Sequence, residues 1–180
     1  MSYFSYHPVE RGPGRPDLPE PRRAEPGEWP RIEAALAIVN RDLAATLPDQ
    51  RPLILMSCDE EVYVAMPDGS WQGNGIALAE SGASHLLGLV ADAAQETVME
   101  LLWQAWPVCP FHKMGTHSRP EGTTADWEGE ARGEGAVWWC RGHHGGDCHD
   151  LAPVGELAGA LPGKQRRELR RAERRRGGAR

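Results

Sequence analysis

Two short stretches of the chain share the pattern Cys-x-x-His. One runs from Cys109 to His112 and the other from Cys140 to His143. A gap of two residues lets a thiolate and an imidazole from one tight turn reach the same ion, and paired turns of this kind hold structural zinc. The repeated spacing therefore predicts one tetrahedral Zn²⁺ site, with Cys109, His112 and Cys140 among its ligands.

The sequence leaves the fourth ligand open. Four side chains lie within reach of Cys140 along a glycine-containing segment: His143, His144, Cys148 and His149. Turn geometry favours His143, the affinity of thiolate for zinc favours Cys148, and a place at the start of the next apolar run favours His149. We expect them in that order of preference, and a structural site needs only one of them.

The candidate ligands need short elements to position them. Residues 136–139 form a β-prone run that ends at Cys140, whereas residues 118–135 are rich in Gly, Glu and Thr and predict a connection with no element of its own. A metal hairpin has little core of its own, so we expect nearby indoles to pack it against the rest of the protein: Trp103, Trp106, Trp138 and Trp139. Residues 107–160 are thus predicted to form a zinc-ribbon-like module.

The residues before this module predict an α+β body over 28–106. Apolar positions recur at helical spacing from Pro30 to about residue 46, and again from an N-cap at Ser84 towards Pro107. Between them, runs at 53–56 and 62–66 predict a β-hairpin, and residues 71–78 a third antiparallel strand. The expected architecture is two helices packed on a short antiparallel sheet, followed by the zinc module and a basic helical tail.

The two ends of the chain differ sharply in composition. Residues 1–27 contain six Pro and show no apolar period, which predicts a disordered arm. The chain lacks a signal peptide and an apolar run of membrane-spanning length, so we expect a cytoplasmic protein, and its cysteines are then better suited to metal than to disulfides.

The last twenty residues, 161–180, form an Arg-rich tail. Residues 164–180 carry a net charge of +7, which leaves −13 on the remainder of a chain whose total is −6. The segment is rich in good helix formers and has too few apolar residues to bury a face. An Arg-rich helix of this kind can bind nucleic-acid phosphates or a protein partner, or it can fold onto the acidic body or serve solubility. The arginines available to a partner are Arg166, Arg167, Arg170, Arg171, Arg174, Arg175 and Arg176.

The stretch from about Asp92 to Leu157 also carries a resemblance. Its segments DAAQETVMELLW, WPVCPFH, AVWWC and HDLAPVGEL resemble those of small uncharacterised bacterial proteins that end in a zinc-ribbon-like module. The resemblance covers a little over a third of the chain. It implies a zinc module and no particular activity.

Three functional hypotheses follow from these features. The first is a noncatalytic zinc-binding protein that acts on a macromolecular partner, such as nucleic acid or a nucleoprotein complex, through the Arg-rich tail. The second is a metal-dependent hydrolase such as an HNH-like nuclease, with His143 or His144 activating water. The third is an acidic regulatory or toxin-neutralising protein that binds a basic partner through Glu60, Glu61 and the loop 121–134. No nucleotide-binding motif is present.

Overall fold

The computed structural model describes residues 5–6, 20–76, 82–143 and 147–177. These residues form an α+β protein of small antiparallel sheets and four helices, which confirms the predicted fold class. The strands are β1 (Ser5–Tyr6), β2 (Arg22–Arg23), β3 (Ile54–Cys58), β4 (Glu61–Ala65), β5 (Trp71–Gln72), β6 (His117–Pro120), β7 (Ala136–Cys140) and β8 (His149–Pro153). The helices are α1 (Pro30–Thr46), α2 (Ala83–Leu102), α3 (Leu157–Ala160) and α4 (Gly163–Gly177).

The helices of the body follow their apolar periodicity. Helix α1 has the predicted bounds, with Pro30 in its first turn. Helix α2 begins one residue before Ser84, because Gly82 takes the N-cap position and Ser84 is buried within the first turn. The hydroxyl of Thr97 donates to the carbonyl of Val64 at 2.8 Å and so joins α2 to β4. Among the described residues, no helix is long and apolar enough to span a membrane.

The central hairpin forms as predicted, but its sheet is completed differently. Strands β3 and β4 pair in register from Ile54↔Ala65 to Cys58↔Glu61, whereas β5 pairs with β1. The predicted third strand of the meander stops early because Gly73, at φ +96°, turns the chain out of the extended conformation. The chain meets β4 again at a single bridge between Ile76 and Val62. The end of that predicted strand, at Leu78, lies outside the described residues.

The third strand of the hairpin sheet comes from the segment expected to be disordered. Strand β2 pairs antiparallel with β3, and the N–H of Ala24 donates to the carbonyl of Leu55 at 3.0 Å. Arg22 holds this strand in place through two hydrogen bonds to the Glu28 carboxylate, at 2.9 and 2.5 Å. Disorder is therefore wrong for residues 5–6 and 22–23, which both pair with strands of the body, because an edge strand needs no apolar period to pair. Residues 7–19 lie outside the described part of the chain.

The second sheet has the order β6-β7-β8. The predicted strand before Cys140 is present, and all five residues of β7 are buried. Strand β6, by contrast, occupies the start of the segment expected to be only a connection. It forms there because Ser118 is buried against α2, where its hydroxyl donates to the carbonyl of Gly88 at 3.1 Å. A polar tetrapeptide became a strand through tertiary packing.

A buried carboxylate on α1 ties the second sheet to the body. Asp42 accepts hydrogen bonds from the Trp138 indole at 2.7 Å and from the backbone N–H groups of Gly155 and Leu157 at 2.6 and 2.8 Å. Burial raises the pKa of Asp42, and these three donors oppose the rise. One hydrophobic cluster contains Val39 of α1 and Trp138 of β7. The core is therefore continuous from the body into the second sheet.

The four indoles near the candidate ligands behave in two ways. Trp106, Trp138 and Trp139 are buried, as expected for packing, and the rings of Trp106 and Trp138 meet edge to face at 5.6 Å. Trp103 is 88% exposed. The expectation that Trp103 packs the module is therefore wrong, because a left-handed backbone at this residue, φ +52°, ends α2 and directs the chain away from the core.

Candidate metal centre

Four of the predicted ligands converge on one point. The ligand atoms of Cys109, His112, Cys140 and His149 all lie within 4.8 Å of one another. The Cys109 Sγ atom is 3.8 Å from His112 Nδ1 and 3.7 Å from His149 Nε2, and Cys140 Sγ is 3.4 Å from His112 Nδ1. A tetrahedral zinc ion would separate such ligand atoms by about 3.3–3.8 Å, given its usual bond lengths to sulfur and nitrogen. These three distances match that geometry.

The first pair of ligands comes from a tight turn. The N–H of Lys113 donates to the carbonyl of Cys109 at 2.9 Å, and the N–H of Cys109 donates to the carbonyl of Met114 at 2.8 Å. Lys113 takes a left-handed conformation at φ +59°, which closes the turn one residue after His112. The Cys-x-x-His spacing of this stretch therefore places its sulfur and its imidazole on the same side.

The second pair of ligands comes from two adjacent strands. Cys140 is the last residue of β7 and His149 the first of β8, and they are directly opposed in the antiparallel register. Directly opposed residues project their side chains from the same face of a sheet, a few ångströms apart. Strand pairing, and not the second Cys-x-x-His spacing, thus brings His149 to the sulfur of Cys140.

The two ligands that the sequence placed ahead of His149 lie outside the convergent group. His143 is exposed, and its ring centre is 5.4 Å from that of His112. Cys148 is exposed as well, and it precedes the first residue of β8. His144 lies outside the described residues. The sequence signal that favours His149 is its place at the start of the next apolar run, and the structure makes the beginning of that run strand β8.

Backbone groups support two of the four ligand atoms. The N–H of Gly142 donates to Cys140 Sγ at 3.4 Å. The Nδ1 atom of His149 is 2.9 Å from the carbonyl of Asp147, so an Nδ1–H donor there leaves the lone pair of Nε2 directed at the other ligands. These contacts hold both side chains in orientations suited to an ion.

Three of the four candidate ligands have shifted pKa values. Burial disfavours the Cys109 thiolate, but N–H donors from His112 and Phe111 outweigh it and lower the pKa of Cys109. The carbonyl of Asp147 raises the pKa of His149, against the effect of burial, and Cys109 adds to the rise. Burial and the neighbouring Cys109 raise the pKa of Cys140. Cys109 is therefore favoured as a thiolate, whereas Cys140 and His149 retain protons that a bound metal would displace.

Two sulfurs and two imidazole nitrogens make up this donor set, and it contains no carboxylate. Such a set suits Zn²⁺ and fills all four positions of a tetrahedral ion. Neither a protein-family model, nor a curated protein, nor a solved structure matches this chain.

Proposed function

We propose that the protein is a noncatalytic zinc-binding protein whose metal module supports binding to nucleic acid. Cys109, His112, Cys140 and His149 would hold one Zn²⁺, and the Arg-rich helix α4 would contact phosphates. The observation that carries the proposal is the convergence of the four ligand atoms within 4.8 Å. A zinc-ribbon-like module built on the sheet β6-β7-β8 is part of this proposal.

A structural role for the ion follows from the donor set. Catalytic zinc keeps one coordination position for water or substrate, whereas four protein ligands leave none. Both sulfurs are completely buried, as in a closed site. These features count against the HNH-like nuclease, which would need His143 or His144 to activate water at an open position.

The ion would join the turn at residues 109–112 to strands β7 and β8. The turn at residues 109–112 has Phe111 72% exposed, so it buries little apolar surface of its own. Its ligands connect it to the end of β7 and the start of β8. Zinc would therefore supply the cross-link that a small hydrophobic contact cannot, as in other small metal modules.

Helix α4 presents its positive charge to solvent. Arg166, Arg167, Arg171 and Arg174 are exposed, and within the part of the chain that the structure describes none of them is in an ion pair with a carboxylate of the body. This arrangement favours an external anionic partner over self-association of the tail with the acidic remainder of the chain. Nucleic-acid phosphates fit because a guanidinium binds phosphate through paired hydrogen bonds. The further arginines of the sequence in α4 are Arg170, Arg175 and Arg176.

The metal assignment is tested by elemental analysis of protein purified without added metal. We expect one zinc per chain in the wild type, and loss of zinc in Cys109→Ser, Cys140→Ser and His149→Ala. The matched controls are Cys148→Ser and His143→Ala, which should keep it. Zinc retained by His149→Ala and lost from His143→Ala would overturn the ligand set, and a stable wild type without metal would overturn the site.

The role of α4 is tested by the salt dependence of nucleic-acid binding. Each phosphate contact contributes about one unit to the slope of log affinity against log salt concentration. Arg167→Gln should reduce that slope by about one. Arg51→Gln, an exposed position on the loop before β3, removes the same charge and should leave the slope unchanged. Equal effects of the two variants would show a general charge effect and no α4 interface.

A further inference from the structure

Trp103 is displayed to solvent at a conformational cost. It is 88% exposed and caps α2 with a left-handed backbone, φ +52°, a position where glycine is the usual residue. The N–H of Trp103 donates to the carbonyl of Met99, so the helix end itself is satisfied. Neither burial nor capping requires an indole here, and a ring that contributes to neither is free to contact a partner.

Two more apolar side chains are exposed close by along the chain. Phe111 is 72% exposed and Val108 is 42% exposed, and with Trp103 they are the large apolar side chains that the described residues leave in solvent. All three fall within residues 103–111. Phe111 lies between the candidate ligands Cys109 and His112, and its ring centre is 6.0 Å from that of His149. The turn at residues 109–112 therefore restricts where the Phe111 ring can lie.

A groove connects this segment to the basic helix. It has a volume of about 500 Å³ and lies between the end of α1, residues 104–113 and the first turns of α4. Gln104, Val108 and Pro110 line it on one side, and Gln165 and Leu169 of α4 on the other. Trp103 and Phe111 are the chain neighbours of Gln104 and Pro110, so both exposed rings belong to the segment that lines the groove.

We propose that this rim is the binding surface for single-stranded nucleic acid. The inference rests on the proposed function and names the form of nucleic acid. Arginines of α4 hold the phosphates, while Trp103 and Phe111 stack on bases. A base offers its flat face to an aromatic ring only when it is unpaired, so exposed rings beside a basic helix select a single strand over a duplex.

The charges around the groove also orient the strand. Within the groove, Lys113 and Glu168 carry opposite charges. Ala105 lines both the groove and a second cavity of about 470 Å³. Asp92, Glu96 and Glu100 border this second cavity. This side of the segment carries acidic groups, whereas α4 carries the arginines, so the strand lies on the α4 side of the segment.

An acidic peptide is the competing occupant of an apolar groove beside arginines. The nucleic-acid assignment is favoured because the two aromatic rings stand exposed next to the groove, whereas a peptide anchor needs a deep aromatic or aliphatic pocket. The one indole that lines the groove, Trp106, is only 2% exposed. Exposed flat rings on a segment that faces an Arg-rich helix suit bases better than they suit side chains.

The test is fluorescence anisotropy of the zinc-loaded full chain with a labelled twelve-nucleotide single-stranded RNA, the matching DNA and their duplexes. Trp103→Gly and Phe111→Ala should each weaken single-strand binding about tenfold, in line with the usual loss per stacked base. Trp103→Phe keeps a ring and should retain most of the affinity. Trp103→Gly also relieves the left-handed strain, so it should unfold at the same or a higher temperature than the wild type, which separates binding from folding.

The outcomes distinguish this inference from the proposed function. Loss of binding in Arg167→Gln with full binding in Trp103→Gly and Phe111→Ala would overturn base stacking and leave the phosphate interface standing. Preference for the duplex would also overturn the single-strand assignment. No binding to any of these nucleic acids, or tighter binding of a labelled peptide of alternating Glu and Leu, would overturn both.

Discussion

The indole N–H of Trp138 donates to the Asp42 carboxylate at 2.7 Å, and so joins two residues that are 96 positions apart. Trp138 lies in β7, two residues before the candidate ligand Cys140, and Asp42 lies in α1. Both side chains are at most 1% exposed. The strand that carries Cys140 is therefore held by the body directly, and the position of the candidate metal centre depends on a contact far from it.

Replacing the buried carboxylate should destabilise the whole fold. Asp42→Asn keeps the size of the side chain but turns an amide group toward a donor, so at least one of three buried N–H groups loses its acceptor. We expect the free energy of unfolding at neutral pH to fall by about 1–3 kcal/mol. Urea unfolding followed by tryptophan fluorescence measures it. Asp49→Asn, at an exposed position of the loop after α1, is the matched control and should change stability little.

The second prediction concerns removal of the proposed ion. A chelator should lower the free energy of unfolding, because an ion that binds only the folded chain stabilises it by about 2.7 kcal/mol at a concentration one hundred times its dissociation constant. Amide exchange should accelerate first at Cys109 and Lys113, whose N–H groups close the metal turn. The hairpin β3–β4 should keep its protection. Identical unfolding curves with zinc and with chelator would contradict a structural ion.

The third prediction concerns the glycine beside Cys140. A Cβ at Gly142 would lie 2.8 Å from the backbone carbon of Asp147, and its φ is +70°. Gly142→Ala should displace the N–H from Cys140 Sγ and the carbonyl from His149, and lower zinc affinity roughly tenfold or more, as losing such supporting contacts does. Competition with a chromophoric chelator measures the affinity.

Gly133→Ala is the control for that variant. Its φ is +76° and no atom lies within 4 Å of the added Cβ, so it introduces similar backbone strain without touching the metal centre. It should reduce stability slightly and leave zinc affinity unchanged. If both variants lowered zinc affinity equally, the contacts of Gly142 would have no specific role.

The fourth prediction concerns the pH dependence of the pairing of strand β2. Hydrogen bonds from Arg22, and then from the N–H of Glu25, lower the pKa of Glu28 to about 2 from an ordinary 4.5. The pKa of Glu28 is lower in the folded chain, so its interaction with Arg22 stabilises the pairing of β2 above about pH 4.5. This stabilisation is lost as the pH falls towards 2. Protection of the Ala24 amide should therefore decrease over that range relative to amides of α1.

Glu28→Gln provides the comparison for that measurement. This variant should expose the Ala24 amide already at pH 6, because the charged partner of Arg22 is absent. Amide exchange followed by NMR measures both proteins across the range. Protection of Ala24 that did not change with pH in the wild type would show that strand pairing alone holds β2 in place.

Some elements follow from local sequence alone. Helix α1 has its predicted bounds because apolar residues recur at helical spacing between Pro30 and Pro48, and a proline limits the helix at each end. The hairpin β3–β4 and the strand before Cys140 form where β-prone runs were predicted. The turn that contains Cys109 and His112 also follows from local sequence, since the geometry of four consecutive residues brings the two side chains together.

Other features depend on partners distant in the chain. Strands β2 and β6 have no apolar alternation to mark them, and each forms because a neighbouring element offers it hydrogen bonds. Trp103 and Trp106 are three residues apart and of one type, yet one is exposed and the other buried according to how the chain leaves α2. The spacing of apolar residues in the sequence cannot distinguish an exposed Trp from a buried one in such a segment.

The candidate metal centre combines both kinds of information. Residue types and spacing were sufficient to name Cys109, His112 and Cys140 as candidate metal ligands, and the first two meet because a short turn allows few geometries. The choice among His143, His144, Cys148 and His149 was left to tertiary structure, since a glycine-containing segment permits all four. The antiparallel register of β7 and β8 places His149 directly opposite Cys140 and leaves His143 and Cys148 outside the group.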